Sequence, residues 1–260
     1  MKNIFFVIII LLLSVNQTFA QNDTIIDTLQ YSSISVDVRS RNTEKTPIAY
    51  YIVPSALITY GVITRFSSGL QHFDKNIDAK VKQNIHRQYK FDDYIQFAPY
   101  VAIYGLDWCG VKAKHNFLDR TLVLGTSAIF AAVLVQGSKY LTKIERPDGS
   151  NLHSFPSGHT TMAFLGAHIL FREYKDKSVW LGVAGYGVAL TTASMRIINR
   201  KHWFSDVVTG AGVGILCAEL GYLMLPVWHK LFKIKQKDKG LAISPIITQD
   251  SFSIGGIMVF

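Results

Sequence analysis

The sequence predicts an all-α, membrane-embedded bundle of about six helices, with a small β hairpin near the C-terminus. Three observations lead there. Apolar residues gather in six blocks, at roughly 47–64, 94–111, 121–138, 159–171, 179–195 and 206–228. Several approach the roughly 17–20 residues that cross a bilayer core. Only 17% of the 260 residues are charged, against about 25% in soluble domains, and mean hydropathy is +0.21. The blocks also hold Gly, Ser, Thr and Tyr, which suits helices packed on one another rather than a lone anchor. This composition excludes a disordered chain, a collagen-like repeat and a small disulfide scaffold. A soluble all-helical protein is the competing reading, and four or more blocks of near-membrane length in one chain count against it.

Each segment has its own justification. Residues 1–20 combine Lys2, an apolar run over 4–13 and the ending Thr18-Phe19-Ala20, the pattern of an export signal cleaved after Ala20, with an uncleaved anchor as the alternative. Residues 21–46 form a polar N-terminal segment without recognisable chemistry. The helical domain occupies 47–228. Its first block is interrupted by Pro54 and rich in Tyr and Thr. Residues 71–93 place Phe73, Ile77, Val81 and Ile85 four apart, which predicts an amphipathic helix lying on a surface. Cys109 and Cys217 sit in apolar stretches without metal-ligand spacing, so they read as buried spectators and no zinc site is expected. Gly210, Gly212 and Gly214 follow no strand, which argues for close helix packing and against a dinucleotide fingerprint.

Residues 229–260 make a basic tail. Lys230, Lys233, Lys235, Lys237 and Lys239 face a single acid, Asp238, and supply nearly half of the net +9. Lysines directly after an apolar block mark a cytoplasmic membrane boundary. A nucleic-acid face would interleave them with exposed aromatics on a soluble domain, so no nucleic-acid partner is expected. Runs at 241–247 and 252–260 are β-prone and separated by Thr-Gln-Asp-Ser, which suggests the hairpin.

Three polar clusters stand at the ends of the blocks: Lys139 with Arg146-Pro147; Pro156-Ser157-Gly158-His159; and Arg196, His202 and Asp206. Pro156 to His159 open an apolar helix, whose free N–H groups and dipole favour an anion such as phosphate. By itself this tetrapeptide also fits an ordinary helix start. His202 and Asp206 are four apart, so on one helical turn the carboxylate could fix the imidazole tautomer and free its other nitrogen as nucleophile or base. Such a pair alone also fits a structural role. Arg196 can grip phosphate oxygens with two parallel bonds, and Lys139 and Arg146 add charge at the same boundary. If every block crosses, all three clusters face one compartment.

These residues resemble the signature of the type 2 phosphatidic acid phosphatase (PAP2) superfamily, in its bacterial membrane lipid phosphatase branch. The spacing within each motif matches, over roughly 94–228. One departure is that Met195 precedes Arg196, where the family often has Ser; here Ser194 stands one position earlier. The resemblance implies a helical bundle that hydrolyses a phosphate ester without metal or cofactor. His202 would attack phosphorus to form a phosphohistidine, Asp206 would orient it, and His159 would protonate the leaving oxygen. Lys139, Arg146, Ser157, Gly158 and Arg196 would hold the phosphoryl oxygens. The substrate class it implies is a membrane lipid phosphate: lipid A, undecaprenyl diphosphate or phosphatidylglycerol phosphate. Rivals are a vanadium haloperoxidase-like or soluble periplasmic acid phosphatase of the same fold, and a non-catalytic scaffold or transporter. His153, Lys143, Arg200 and Lys201 are candidates for reading the rest of the substrate, and Asp107 reads as a satisfied polar residue more readily than a functional one.

Charge placement sets an orientation. Lys112, Lys114 and Arg120, then Arg172, Lys175 and Lys177, then the tail lysines alternate with the clusters along the chain. The positive-inside rule makes these groups cytoplasmic and turns the clusters outward, toward the periplasm from a bacterial inner membrane. A cleaved export signal gives the opposite parity. The expectation that reconciles the two is that block 47–64 dips in or packs peripherally rather than crossing.

Overall fold

The computed structural model describes residues 47–85 and 89–233, and the backbone of 241–248 and 251–258. The expected export signal, the polar segment 21–46 and Lys235, Lys237 and Lys239 lie outside the described residues.

Eight helices are found among the described residues, all in one compact unit that begins at Ala49. They are α1 (Ala49–Thr64), α2 (Ser68–Asn84), α3 (Asp92–Ile95), α4 (Ala98–Trp108), α5 (Phe117–Thr142), α6 (Gly158–Tyr174), α7 (Val179–Ile198) and α8 (Phe204–Leu231). α6 is the axis: it is buried along nearly its whole length, with α4, α5, α7 and α8 packed around it. The core runs through Ile103, Val123, Leu165, Ile169, Val213 and Cys217, with a second cluster around Phe164, Ala189, Val207 and Ile215. Outward, Ile129 and Val133 on α5 and Val183 and Leu190 on α7 are exposed. In water such a surface promotes aggregation, whereas lipid tails accept it. α5, α7 and α8 are long and apolar enough to cross a bilayer.

The direction of each helix follows from its partners. Tyr50, at the start of α1, sets its ring edge-on to His168 and Phe171 in the second half of α6. Arg65, just past the end of α1, reaches Asp74 and Ser205. α1 therefore runs end to end along the bundle. Its 16 residues cover about 24 Å at 1.5 Å per residue. At that length α1 is shorter than the three helices that are long and apolar enough to cross a bilayer. Pro54 lies in the second turn, where it removes only the bond to the residue 50 carbonyl. A Cβ on Gly212 would stand 2.7 Å from the Pro54 carbonyl oxygen, so the bare backbone of α8 lets α1 lie flush against it. Gly210 does the same for the other neighbour, where a Cβ would stand 2.7 Å from the Ser157 carbonyl oxygen.

α4 descends from Tyr100, whose hydroxyl donates to the Met162 carbonyl (2.7 Å), to Ile103, whose carbonyl accepts from Tyr174 (2.7 Å). Six helices thus alternate in direction, and the ends of α1, α5 and α7 meet the starts of α4, α6 and α8. The other end is closed by ion pairs. Glu219 accepts from Arg172 (2.7 and 2.8 Å) and from His168 (2.5 Å), and His168 is also 2.6 Å from the Tyr186 hydroxyl. Glu173 bonds His115 and Tyr222, Arg120 bonds Asp107, and Asp119 bonds His229. Asp107 is accordingly a structural partner of Arg120.

Three further differences from the sequence reading emerge. The amphipathic helix ends at Asn84, and Asp92–Ile95 is a separate turn of helix. α2 turns Asp74 and Asp78 toward the bundle, while Phe73 is half exposed and meets the Phe204 ring edge-on. Cys217 is buried but Cys109, in the cap that ends α4, is exposed. Near the C-terminus, β1 (Leu241–Thr248) pairs antiparallel with β2 (Ser251–Met258), with Thr248 opposite Ser251.

Candidate active site

Lys139 lies in the last turn of α5, where free carbonyls favour a cation. The chain then leaves through Lys143 in the left-handed region (φ 48°) and brings Arg146 back over the helix end. The Lys139 ammonium lies 3.8 Å from where a Cβ on residue 158 would stand, so glycine there keeps the cation against the start of α6. Neither the Lys139 ammonium nor the Arg146 guanidinium has a hydrogen bond or ion pair among the described residues, and Arg146 Nε is buried without a partner. Burial, and then the charge of Arg196, push Arg146 below its ordinary pKa. An anion bound between them would relieve both effects.

The second cluster presents backbone. Phe155–Pro156 is a cis peptide and Ser157 caps α6 in an extended conformation. The N–H of Ser157 donates to the Asp206 carbonyl (3.1 Å), and its buried hydroxyl accepts from Thr160 (2.9 Å). The amides left free by helix geometry are those of Gly158, His159 and Thr160, an arrangement that favours a phosphate-like anion.

The third cluster departs from the expected geometry. α8 begins at Phe204, so His202 precedes the helix and only Asp206 stands in its first turn. His202 Nδ1 is 3.8 Å from Asp206 Oδ2, too long for a hydrogen bond. That oxygen instead accepts from Ser154 Oγ (2.5 Å) and from the Trp203 N–H (2.9 Å), which caps α8. His202 Nδ1 and Asp206 Oδ1 are both buried without a hydrogen bond. His202 is 2% exposed. Its burial, with a smaller contribution from Arg196 and Arg146, lowers its pKa to about 4, so the imidazole is neutral at pH 7.

The sequence reading missed the residues that hold this cluster in place. Asp92, 1% exposed, accepts from Arg196 Nη1 (2.7 Å) and from Asn199 Nδ2 (3.2 Å). Asn199 clamps the chain at Tyr89, donating to its carbonyl and accepting from its N–H. Asp93 Oδ1 lies 2.9 Å from His159 Nε2 and 3.6 Å from Arg196 Nη1. Arg65 approaches Asp206 Oδ1 to 3.8 Å and bonds Asp74 and Ser205, which in turn bond each other. The adjacent acids in Phe91-Asp92-Asp93-Tyr94 before an apolar block were the available signal. Of the cations proposed to read the rest of a substrate, two are committed elsewhere. Arg200 makes a two-pronged pair with Asp78 (2.6 and 2.8 Å), and Lys201 pairs with Asp148 (2.7 Å). Lys143 is exposed, and His153 meets the Tyr140 ring at 5.5 Å.

Every predicted site residue thus comes to one end of the bundle. The arrangement offers unpartnered cations, free helix amides and a neutral buried imidazole: it can hold a phosphoryl group against a nucleophile. Among the described residues no cluster of three His, Cys, Asp or Glu could hold a metal ion.

The chain is similar to several known proteins. Residues 120–230 match the family described as the PAP2 superfamily. Over 167 residues the chain is 36% identical to a lipid A 1-phosphatase of Porphyromonas gingivalis, covering 61% of this chain and 37% of that protein. Over 77 residues it is 39% identical to a lipid A 1-phosphatase of Helicobacter pylori, covering 29% of this chain and 38% of that protein. The matched stretch therefore spans well under half the length of these curated relatives. A transmembrane PAP2 type phosphatidylglycerolphosphate phosphatase from Bacillus subtilis aligns at TM-score 0.47 and 21% identity, covering 71% of this chain and 98% of that one. All three sequence clusters fall within residues 120–230, the segment that matches the PAP2 superfamily.

Proposed function

We propose that this protein is a metal-independent membrane phosphatase that removes phosphate from a lipid phosphate through a phosphohistidine. The observation that carries the reading is the pair of partly buried cations, Lys139 and Arg146, whose side chains have no hydrogen-bond or ion-pair partner among the described residues, beside the free amides of α6. Phosphoryl transfer mainly requires positioning and stabilisation of charge on the phosphoryl oxygens. His202, neutral because it is buried, attacks phosphorus. Asp206 stabilises the resulting positive charge on its imidazole. Lys139, Arg146, Arg196 and the amides at Gly158 and His159 hold the oxygens, while the Ser157 side chain supports the turn. His159 gives its proton to the leaving oxygen as the P–O bond breaks. It then takes one from the water that displaces His202 and releases phosphate.

The identity to lipid A 1-phosphatases favours lipid A among the lipid phosphates, with its 1-phosphate as the group removed. The lysine- and tryptophan-bearing end, with Trp108, Trp180, Lys112 and Lys175, suits the cytoplasmic interface and turns the site to the periplasm. With α1 running end to end, that orientation starts the helical domain on the cytoplasmic side, which reads against cleavage of an export signal at residues 1–20. Labelling of Ser150→Cys, but not Asp176→Cys, in intact cells lacking Cys109 supports it; the reverse pattern overturns it.

The test of function is phosphate release from lipid A in detergent with a chelator present. Release that His202→Ala abolishes is the expected result, and vanadate should inhibit by occupying the phosphoryl position. Activity that the chelator removes, or that survives in His202→Ala, overturns the reading.

A further inference from the structure

Asp93 lies outside all three motifs, yet its carboxylate is 2.9 Å from His159 Nε2. It reaches the site because α3 is a single turn whose first two residues are both acids. Asp92 points inward and is consumed by Arg196 and Asn199. Asp93 is half exposed, leans on Arg196 at 3.6 Å and closes on the imidazole. This contact decides which nitrogen does chemistry. With Nε2–H donated to Asp93, the remaining nitrogen, Nδ1, has no partner among the described residues and is the one left to face a leaving group.

We propose that Asp93 is a positioning residue for His159: it fixes the ring with Nδ1 toward the leaving oxygen and holds the imidazolium form available as the acid. The proposal rests on the phosphatase reading above. The charges that act on His159 are Arg196 from α7 and Asp93 and Asp92 from α3. Arg196 opposes protonation, and the two carboxylates favour it. Asp92 is already spent on Arg196, so Asp93 is the group whose loss leaves Arg196 unopposed. When the P–O bond breaks, the Nδ1 proton passes to the leaving oxygen and the neutral ring stays bonded to Asp93 through Nε2–H. The water that follows returns a proton to Nδ1.

The experiment compares Asp93→Asn, Asp93→Glu and His159→Ala, using two probes: a short-chain diacylglycerol phosphate in detergent and p-nitrophenyl phosphate. An alkoxide leaves poorly without a proton, whereas the nitrophenolate needs none. The expected result is that kcat for the lipid probe falls roughly 10- to 100-fold in Asp93→Asn, within the range of a lost general acid. The loss for the aryl probe should be at least about tenfold smaller. The basic limb of the kcat profile should move down by about one pH unit, since loss of a neighbouring carboxylate disfavours the imidazolium. Asp93→Glu should restore part of both. An equal loss on both probes with an unmoved pH limb overturns the proposal. So does tighter vanadate binding in Asp93→Asn with normal turnover, which would mean that the carboxylate merely competes for the anion position. If His159→Ala leaves the lipid probe unaffected, it is the phosphatase reading that fails; if that variant is impaired and Asp93→Asn is normal, only the role of Asp93 fails.

Discussion

The two ends of the bundle treat charge in opposite ways. At the far end, Arg172 bonds both oxygens of Glu219 and lies over the rings of Tyr50 and Tyr222 at 5.1 and 4.6 Å. Glu173, Arg120 and Asp119 are likewise matched there, although Arg120 Nε is buried without a hydrogen bond. At the site end, among the described residues, the Lys139 and Arg146 side chains have no hydrogen-bond or ion-pair partner, and Arg196 Nε, His202 Nδ1 and Asp206 Oδ1 are buried without a hydrogen bond. A low-dielectric interior strengthens a pair and penalises a lone charge. The far end therefore contributes stability, while the site end forgoes it to keep places for an anion. The difference separates function from packing among residues of identical chemistry.

The largest expected effect breaks the site end outright. His202→Ala should lower turnover at least about a thousandfold, the scale of losing a nucleophile. Trapping of a phosphorylated protein after acid quench should fail in the same variant. Next, Lys139→Ala or Arg146→Ala should each lower kcat/KM by roughly 10²–10³, as for loss of one oxyanion stabiliser. The melting temperature without ligand should hold or rise, because each variant removes a positive charge that repels Arg196. A fall in stability alongside the loss of activity would mean that these cations have partners after all. At the far end the signs reverse. Glu219→Gln weakens the charge partner of Arg172 and should cost roughly 2–3 kcal/mol of stability, read as a lower melting temperature in detergent. Vanadate affinity in that variant should be unchanged; a weakened affinity would show that the two ends are coupled.

The comparison also explains what was legible in the sequence. Six apolar blocks gave α1, α4, α5, α6, α7 and α8, because block length and composition report burial directly. The three clusters were visible because short spacings at block ends survive folding. What stayed hidden depends on contacts across long separations. Asp92 meets Arg196 over 104 positions, and Arg65 meets Ser205 over 140. No local pattern distinguishes such acids from solvated ones. The same limit applies at short range to His202 and Asp206. Their spacing of four suggested a shared helical face, but α8 starts between them, and Asp206 is held by the Ser154 hydroxyl and by the N-terminus of its own helix. The close seat of block 47–64 was hidden for a related reason: it depends on Gly212 of α8, opposite Pro54 and more than 150 positions away.

The smallest expected effect is on pH dependence, and it again divides the ends. Burial lowers the pKa of His202 to about 4 from an ordinary 6.5. The nucleophile is therefore neutral in the free enzyme well below pH 6.5, and the acid limb of kcat/KM should lie near pH 4–5. The sign for stability is fixed by the same shift. Between pH 6.5 and 4 the unfolded chain binds a proton at this position that the folded chain does not, so stability falls as pH drops through that window. His202→Ala should flatten this fall, and the melting temperature measured at pH 7 and pH 5 in both proteins checks it. An acid limb near pH 6.5, or an equal acid-induced fall in both proteins, would place the responsible group elsewhere than His202.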